Sequence, residues 1–243
     1  MGKFALNIFD CDDNFASNLY PYISEIVPAS HLLHMENENL NSIRLAPVKD
    51  YDTDKLKAGL LQLAPGTHLI VNENALKEGN LFESAIHNIS ALSLLIQSQK
   101  VNYDFSYPVE MHVDIPVLIV SKGKTLFKTN NVTCMVKYSP KAGCNSVVST
   151  DENMILLFRE YIAYVVQRND KDIKLSNAAM ELAQNAFVNA RARNAESVTD
   201  QTLHNWLTIA ELVHLSFGNF DNELDVSSWN RAIELDSEKE GRV

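Results

Sequence analysis

The chain has 243 residues, 46% apolar and 21% charged, with 21 Lys and Arg against 31 Asp and Glu for a formal net charge of −10. That balance can bury a full core, which excludes a disordered chain, and the length suits one large domain or one domain with a smaller partner. The acidic excess argues against a surface built to grip nucleic-acid phosphates, and there is no apolar run of the roughly 18 residues a transmembrane helix needs.

Phe4, Leu6 and Ile8 alternate with smaller or polar residues and predict a strand. Asp12 and Asp13 then offer an N-cap for a helix with Phe15, Leu19, Ile23 and Ile26 on one face, stopped by Pro28. Residues 30–35 read as a short strand. Asp52 or Asp54 is expected to cap a helix through Leu56, Leu60 and Leu61. Pro65-Gly66 is a turn signal, and Leu69-Ile70-Val71 follows as a fully buried strand. Residues 81–100 have helical spacing at Ile86, Ile89, Leu92 and Ile96, and 101–107, 116–120 and 134–138 read as strands. Strands alternating with helices through residue 148 predict an α/β layer.

From Asn153 onward there is no Gly until Gly218 and no Pro at all. Ile155, Phe158, Ile162 and Val165 mark one amphipathic helix, and Leu175, Ala179, Leu182 and Ala186 a second. Leu203, Trp206, Leu207, Ala210 and Val213 mark a third. Val226, Trp229 and Ile233 mark a short fourth behind an Asp225 cap, with 236–243 expected as a solvated tail. The expected organisation is therefore an α/β core over 1–148 and a helical subdomain over 149–243. The first holds 12 basic and 15 acidic residues, the second 9 and 16.

An α/β layer followed by a helical lid is the outline of an AAA+ ATPase module, which needs a phosphate loop of the form G-x-x-x-x-G-K-[ST]. Gly123-Lys124-Thr125 offers only its end. The first Gly falls on Leu118, inside a strand-like apolar run, so a turn between strands is the reading. The acidic pair that holds Mg²⁺ is reduced to Asn72-Glu73, and Glu73 alone reads as a surface acid at a strand end. His31 and His34 lack a third metal ligand, and His204 and His214 are ten residues apart on one helix. Cys11, Cys134 and Cys144 match no zinc or redox spacing and read as reduced thiols of an intracellular protein. Asn88-Ile89-Ser90 and Asn131-Val132-Thr133 match the glycosylation pattern, which means little without a secretory signal. No catalytic residue, cofactor or metal site is nominated.

Residues 59–73 and 99–107, the latter carrying Tyr103-Asp-Phe-Ser-Tyr107, resemble the C-terminal half of the MCM-binding protein family, partners of the minichromosome maintenance (MCM) replicative helicase. Residues 2–8 resemble an interior stretch of the same family. The chain is more distantly similar to the MCM ATPase module: 57–73 to the segment ending in its Mg²⁺-binding Asp-Glu, 158–164 to the start of the lid, and 198–203 to the segment bearing its sensor Arg. Against that module, Asn72 replaces the Asp and Gln201 the Arg. Asp10-Cys-Asp-Asp13 stands where the phosphate loop belongs, and no Arg occurs between Arg44 and Arg159.

The resemblance thus implies a degenerate AAA+-like (MCM ATPase-like) module with a helical lid and no ATPase chemistry. It implies a nuclear, non-catalytic binder of MCM subunits in assembly or unloading of the complex, DNA replication and sister chromatid cohesion. No partner-contact residues are nominated. The alternatives are an AAA+ ATPase with an unorthodox nucleotide site and a nucleic-acid binding module.

Overall fold

A computed structural model describes residues 4–127, 132–137, 151–167, 173–193, 198–218 and 223–240. In chain order the elements are β1 (Phe4–Phe9), α1 (Phe15–Ile26), β2 (Ser30–His34), α2 (Asn37–Ser42), β3 (Val48–Asp50), β4 (Lys55–Lys57) and β5 (His68–Asn72). A single 3₁₀ turn over Glu73–Ala75 leads to α3 (Glu83–Ser98), β6 (Lys100–Asp104), β7 (Pro108–His112), β8 (Val117–Val120) and β9 (Val132–Lys137). Then come α4 (Glu152–Gln167), β10 (Lys174–Leu175), α5 (Asn177–Arg193), α6 (Asp200–Ser216), β11 (Glu223–Leu224) and α7 (Val226–Glu240). The chain forms two compact units, Met1–Arg159 and Glu160–Val243. The expected boundary at residue 148 lies outside the described residues.

The first unit is built on a five-stranded, all-parallel sheet in the order β2-β5-β8-β1-β9. Its strands are short and apolar because both faces are covered. Successive side chains alternate between two cores. Leu69, Val71, Val117 and Ile119 face the core that α2 and α3 close, while Ile70, Leu118 and Val120 face the one under α1. The mixed α/β class is as expected, and the structure makes its central sheet parallel.

Several local expectations are corrected. The helix anticipated through Leu56, Leu60 and Leu61 is the hairpin of β3 and β4. The Asp50 carboxylate accepts the Asp52 (3.0 Å) and Thr53 (3.4 Å) N–H groups, which folds an Asx turn instead of a helix cap. Leu60 and Leu61 then bond to the Arg44 and Leu45 carbonyls, and a Cβ on Gly59 would lie 2.3 Å from the Leu45 oxygen. The backbones approach too closely there for any other residue. In α3 the inward position is Ala85, and Ile86 is 62% exposed. The N-cap of α1 is Asn14, not Asp12 or Asp13. A short helix, α2, has no counterpart in the reading. Cys134 lies in β9, while Tyr138, Cys144 and Asn131 lie outside the described residues.

Asn88 is no glycosylation acceptor. It is buried, receives the Leu45 N–H and donates to the Leu40 and Ile43 carbonyls, tying α3 to α2 and to the segment after it.

In the second unit α5, α6 and α7 close on small residues, Ala179, Ala183, Ala210 and Ala232, around Trp206 and Trp229, whose rings meet edge to face at 6.5 Å. A two-residue parallel ribbon of β10 and β11 joins them. Asp225 caps α7 as expected, accepting the Ser228 N–H at 3.0 Å. The expected tail is instead the last turns of α7 through Glu240, and Asp236 receives the Trp206 indole N–H at 2.6 Å.

Candidate functional site

In the five-stranded sheet the connection leaving β1 runs to the far edge at β2, while the one leaving β8 crosses β1 to reach β9. The chain therefore departs in opposite directions from neighbouring strands, and a crevice opens at their carboxyl ends, where ligands of open α/β sheets bind. Residues 10–14 after β1, the 3₁₀ turn after β5 and residues 121–125 after β8 form it. Two adjoining open clefts of about 530 and 440 Å³ lie there, both lined by Asp13, Asn74 and Lys77.

Phosphate binding at such a place relies on backbone N–H groups aimed outward. Here the Cys11 N–H bonds to the Ser121 carbonyl (3.4 Å) and the Phe15 N–H to the Asp12 carbonyl (3.0 Å). The Cys11 and Asp12 carbonyls accept both protons of the Asn74 amide, at 3.2 and 3.0 Å. Asp10 stands in the left-handed region at φ 63°, where a short polar residue is tolerated. Asp13 pairs with Lys122 at 2.6 Å on the surface. Burial, reinforced by the charges of Asp10 and Asp12, pushes the Cys11 thiol up to about 11, which makes it a poor nucleophile.

Glu73 is not the surface acid its sequence context implies. It is only 8% exposed, and it accepts from the Thr125 hydroxyl and the Leu126 N–H. Burial raises its pKa, and those two hydrogen bonds oppose the rise. Thus Gly123-Lys124-Thr125 is a turn whose threonine serves Glu73. Asn72 is buried as well; its amide pairs with His34 Nδ1 at 2.9 Å and accepts the Asn74 N–H. Nothing in the sequence spacing distinguishes Asn74 from a surface Asn.

His31 and His34, three apart on a strand, point to opposite faces. Among the described residues no group of three or more His, Cys, Asp and Glu is placed to hold a metal ion. In the second unit Gln201 is exposed on the first turn of α6 and donates to Asn205 at 3.1 Å. His204 is exposed and His214 buried. His214 Nδ1 lies 3.4 Å from the Ser228 hydroxyl and 3.7 Å from Asp225. Both neighbours lie on the same ring nitrogen, so the three do not form a nucleophilic relay, in which serine and carboxylate occupy opposite nitrogens.

The family profile described as mini-chromosome maintenance replisome factor matches residues 1–243. Proteins named mini-chromosome maintenance complex-binding protein are similar along the full chain: 34% identical in Rattus norvegicus, 33% in Homo sapiens and 30% in Drosophila melanogaster. The chain spans 38% of the length of the rat and human proteins and 41% of the fly protein.

Proposed function

The chain belongs to the mini-chromosome maintenance replisome factor family, and from that membership we propose that it is a non-catalytic binder of MCM helicase subunits. Its relatives are named for binding the MCM complex. The observation that carries the non-catalytic half of the reading is the state of the crevice. The strand-end acid, Glu73, is buried under Thr125 and Leu126, Asn72 is committed to His34, and the loop after β1 presents carbonyls and carboxylates. Phosphoryl transfer needs a phosphate cradle, a metal-binding acid and charge-stabilising cations together. The first two are replaced here by contacts internal to the fold.

A parallel sheet with β1 inside it, followed by a helical unit, supports an AAA+-like body that has kept its shape and lost its nucleotide site. Such a body would compete for the contacts MCM subunits make with one another, by likeness of surface rather than by chemistry. Roles in assembly or unloading of the MCM complex during DNA replication and in sister chromatid cohesion, in the nucleus, follow from this reading. Co-purification of the tagged chain with individual MCM subunits tests it, alongside a longer family member as control. At least one subunit is retained by both. Retention of no subunit by either overturns the reading.

A further inference from the structure

We propose that β7 pairs with β7 of a second copy of this chain, antiparallel and centred on Met111. This pairing is independent of the MCM-binding reading. β7 forms one edge of the sheet β4-β3-β6-β7. The Phe105 N–H bonds to the Tyr107 carbonyl at 3.1 Å and the Val113 N–H to the Gln99 carbonyl at 2.9 Å. Hydrogen-bonded positions alternate along an antiparallel ladder, so between these two bonds Val109 and Met111 turn their main chain to β6. Pro108, Glu110 and His112 turn theirs outward, where no strand among the described residues meets them. The opposite edge, β4, carries Lys55 and Lys57, which guard it against such pairing. On β7 the one acid, Glu110, is bonded to Lys100 at 2.6 Å, and Pro108, Glu110, Met111 and His112 are all exposed.

The residues of β7 select both the partner and the register. Opposite residues of a ladder share a face. Met111 lies across from buried Val101 and Val109 across from Tyr103, on the side of the main core. Met111 is nonetheless 49% exposed, because the sheet ends beside it. Glu110 and His112 lie on the other, polar face, across from Asn102 and Lys100. A dyad at Met111 sets this residue against the partner's Met111, and Glu110 against the partner's His112. Each carboxylate then faces an imidazole that can donate an N–H to it, and Glu110 and His112 exchange their outward main-chain groups with the other strand. A dyad at Glu110 would oppose two carboxylates. One at Val109 would set His112 against Ser106, a turn residue at φ 65°. The strand is thus complementary to itself in one register, as an isologous dimer requires.

Sedimentation over a range of concentrations and thiol crosslinking of the whole chain test this pairing. One pair of short strands buries little area, so wild type is expected to pass from monomer toward dimer near about 100 μM. Met111→Lys sets two ammonium groups against each other at the dyad and weakens association by about five-fold or more. Glu110→Lys and His112→Glu each weaken it by removing a complementary group, and the double variant Glu110→Lys/His112→Glu restores it. Met111→Cys gives a disulfide-linked dimer under mild oxidation, since facing positions of this kind lie about 4.5 Å apart at Cα, within disulfide reach. The controls are wild type, with its own Cys11, Cys134 and Cys144, and Lys55→Cys at the guarded edge. Thermal melting verifies that each variant is folded, and His112→Glu takes the place of Met111→Lys if the latter is not. A wild type that stays monomeric overturns the proposal. So does association that these substitutions leave unchanged, or no excess of crosslinked dimer in Met111→Cys over both controls. Loss of MCM-subunit capture in the β7 variants with self-association unchanged assigns the edge to another protein's strand and overturns self-pairing.

Discussion

Glu73 shows how one buried carboxyl can carry a structural role at a place where its sequence context suggests either metal chemistry or nothing. Its hydrogen bonds to Thr125 and Leu126 fasten the turn after β8 to the turn after β5. Because burial raises its pKa in the fold, the folded state holds this proton more tightly than the unfolded chain does. Stability from this group therefore grows as pH falls from above the raised value toward the ordinary carboxylate range, and is lost as pH rises. Glu73→Gln is expected to remove that dependence, so wild type gains stability relative to the variant from pH 7 to pH 5. A difference constant across that range would place Glu73 in water. Linear spacing reveals none of this, since Thr125 is 52 residues away and the burial of Glu73 depends on two loops meeting. Asn72 was legible as a departure from an acidic pair, but its use by His34 was not.

At the scale of elements, periodicity did most of the work. The four long helices of 152–240 and the strands β1, β5 and β8 follow from apolar spacing, because a helix or strand must present one consistent face to a core. The hairpin of β3 and β4 escaped for a physical reason: three leucines at helical spacing are weaker than an Asx turn at Asp50 and a close backbone approach at Gly59. The cap at Asp225 was legible because capping is local, and the geometry gives it a measurable effect. Hydrogen bonds from Ser227 and Ser228 hold its carboxyl down to about 2. The cap therefore contributes fully at neutral pH and is lost as pH falls through the acidic range toward 2. Asp225→Ala is expected to cost about 1 kcal/mol in denaturant unfolding at pH 7 and progressively less below pH 4. An equal cost at pH 3 would show that the loss is one of packing.

At the scale of the whole chain, net charge is the governing quantity. At −10, with residues 149–243 carrying the larger acidic excess, the charge balance of the chain opposes the nonspecific DNA affinity that Lys and Arg supply. Fluorescence anisotropy with labelled duplex DNA is expected to show no binding at physiological salt. Salt-sensitive binding there would revive the nucleic-acid alternative.

The sequence by itself determined the mixed α/β class, the run of helices after residue 150, and the family, through segments such as 59–73 and 99–107. It also marked Asp10–Asp13, Asn72 and Gln201 as departures from the pattern of the MCM ATPase module that the chain distantly resembles. These properties are carried by composition, by periodicity and by identities at fixed spacing, all of which survive in a linear string. Only the tertiary structure decided that Glu73 is buried, that Thr125 serves it, and that the Asn74 amide holds the Cys11 and Asp12 carbonyls. Each of these depends on strands distant in sequence lying side by side, so that desolvation and hydrogen bonding assign the roles.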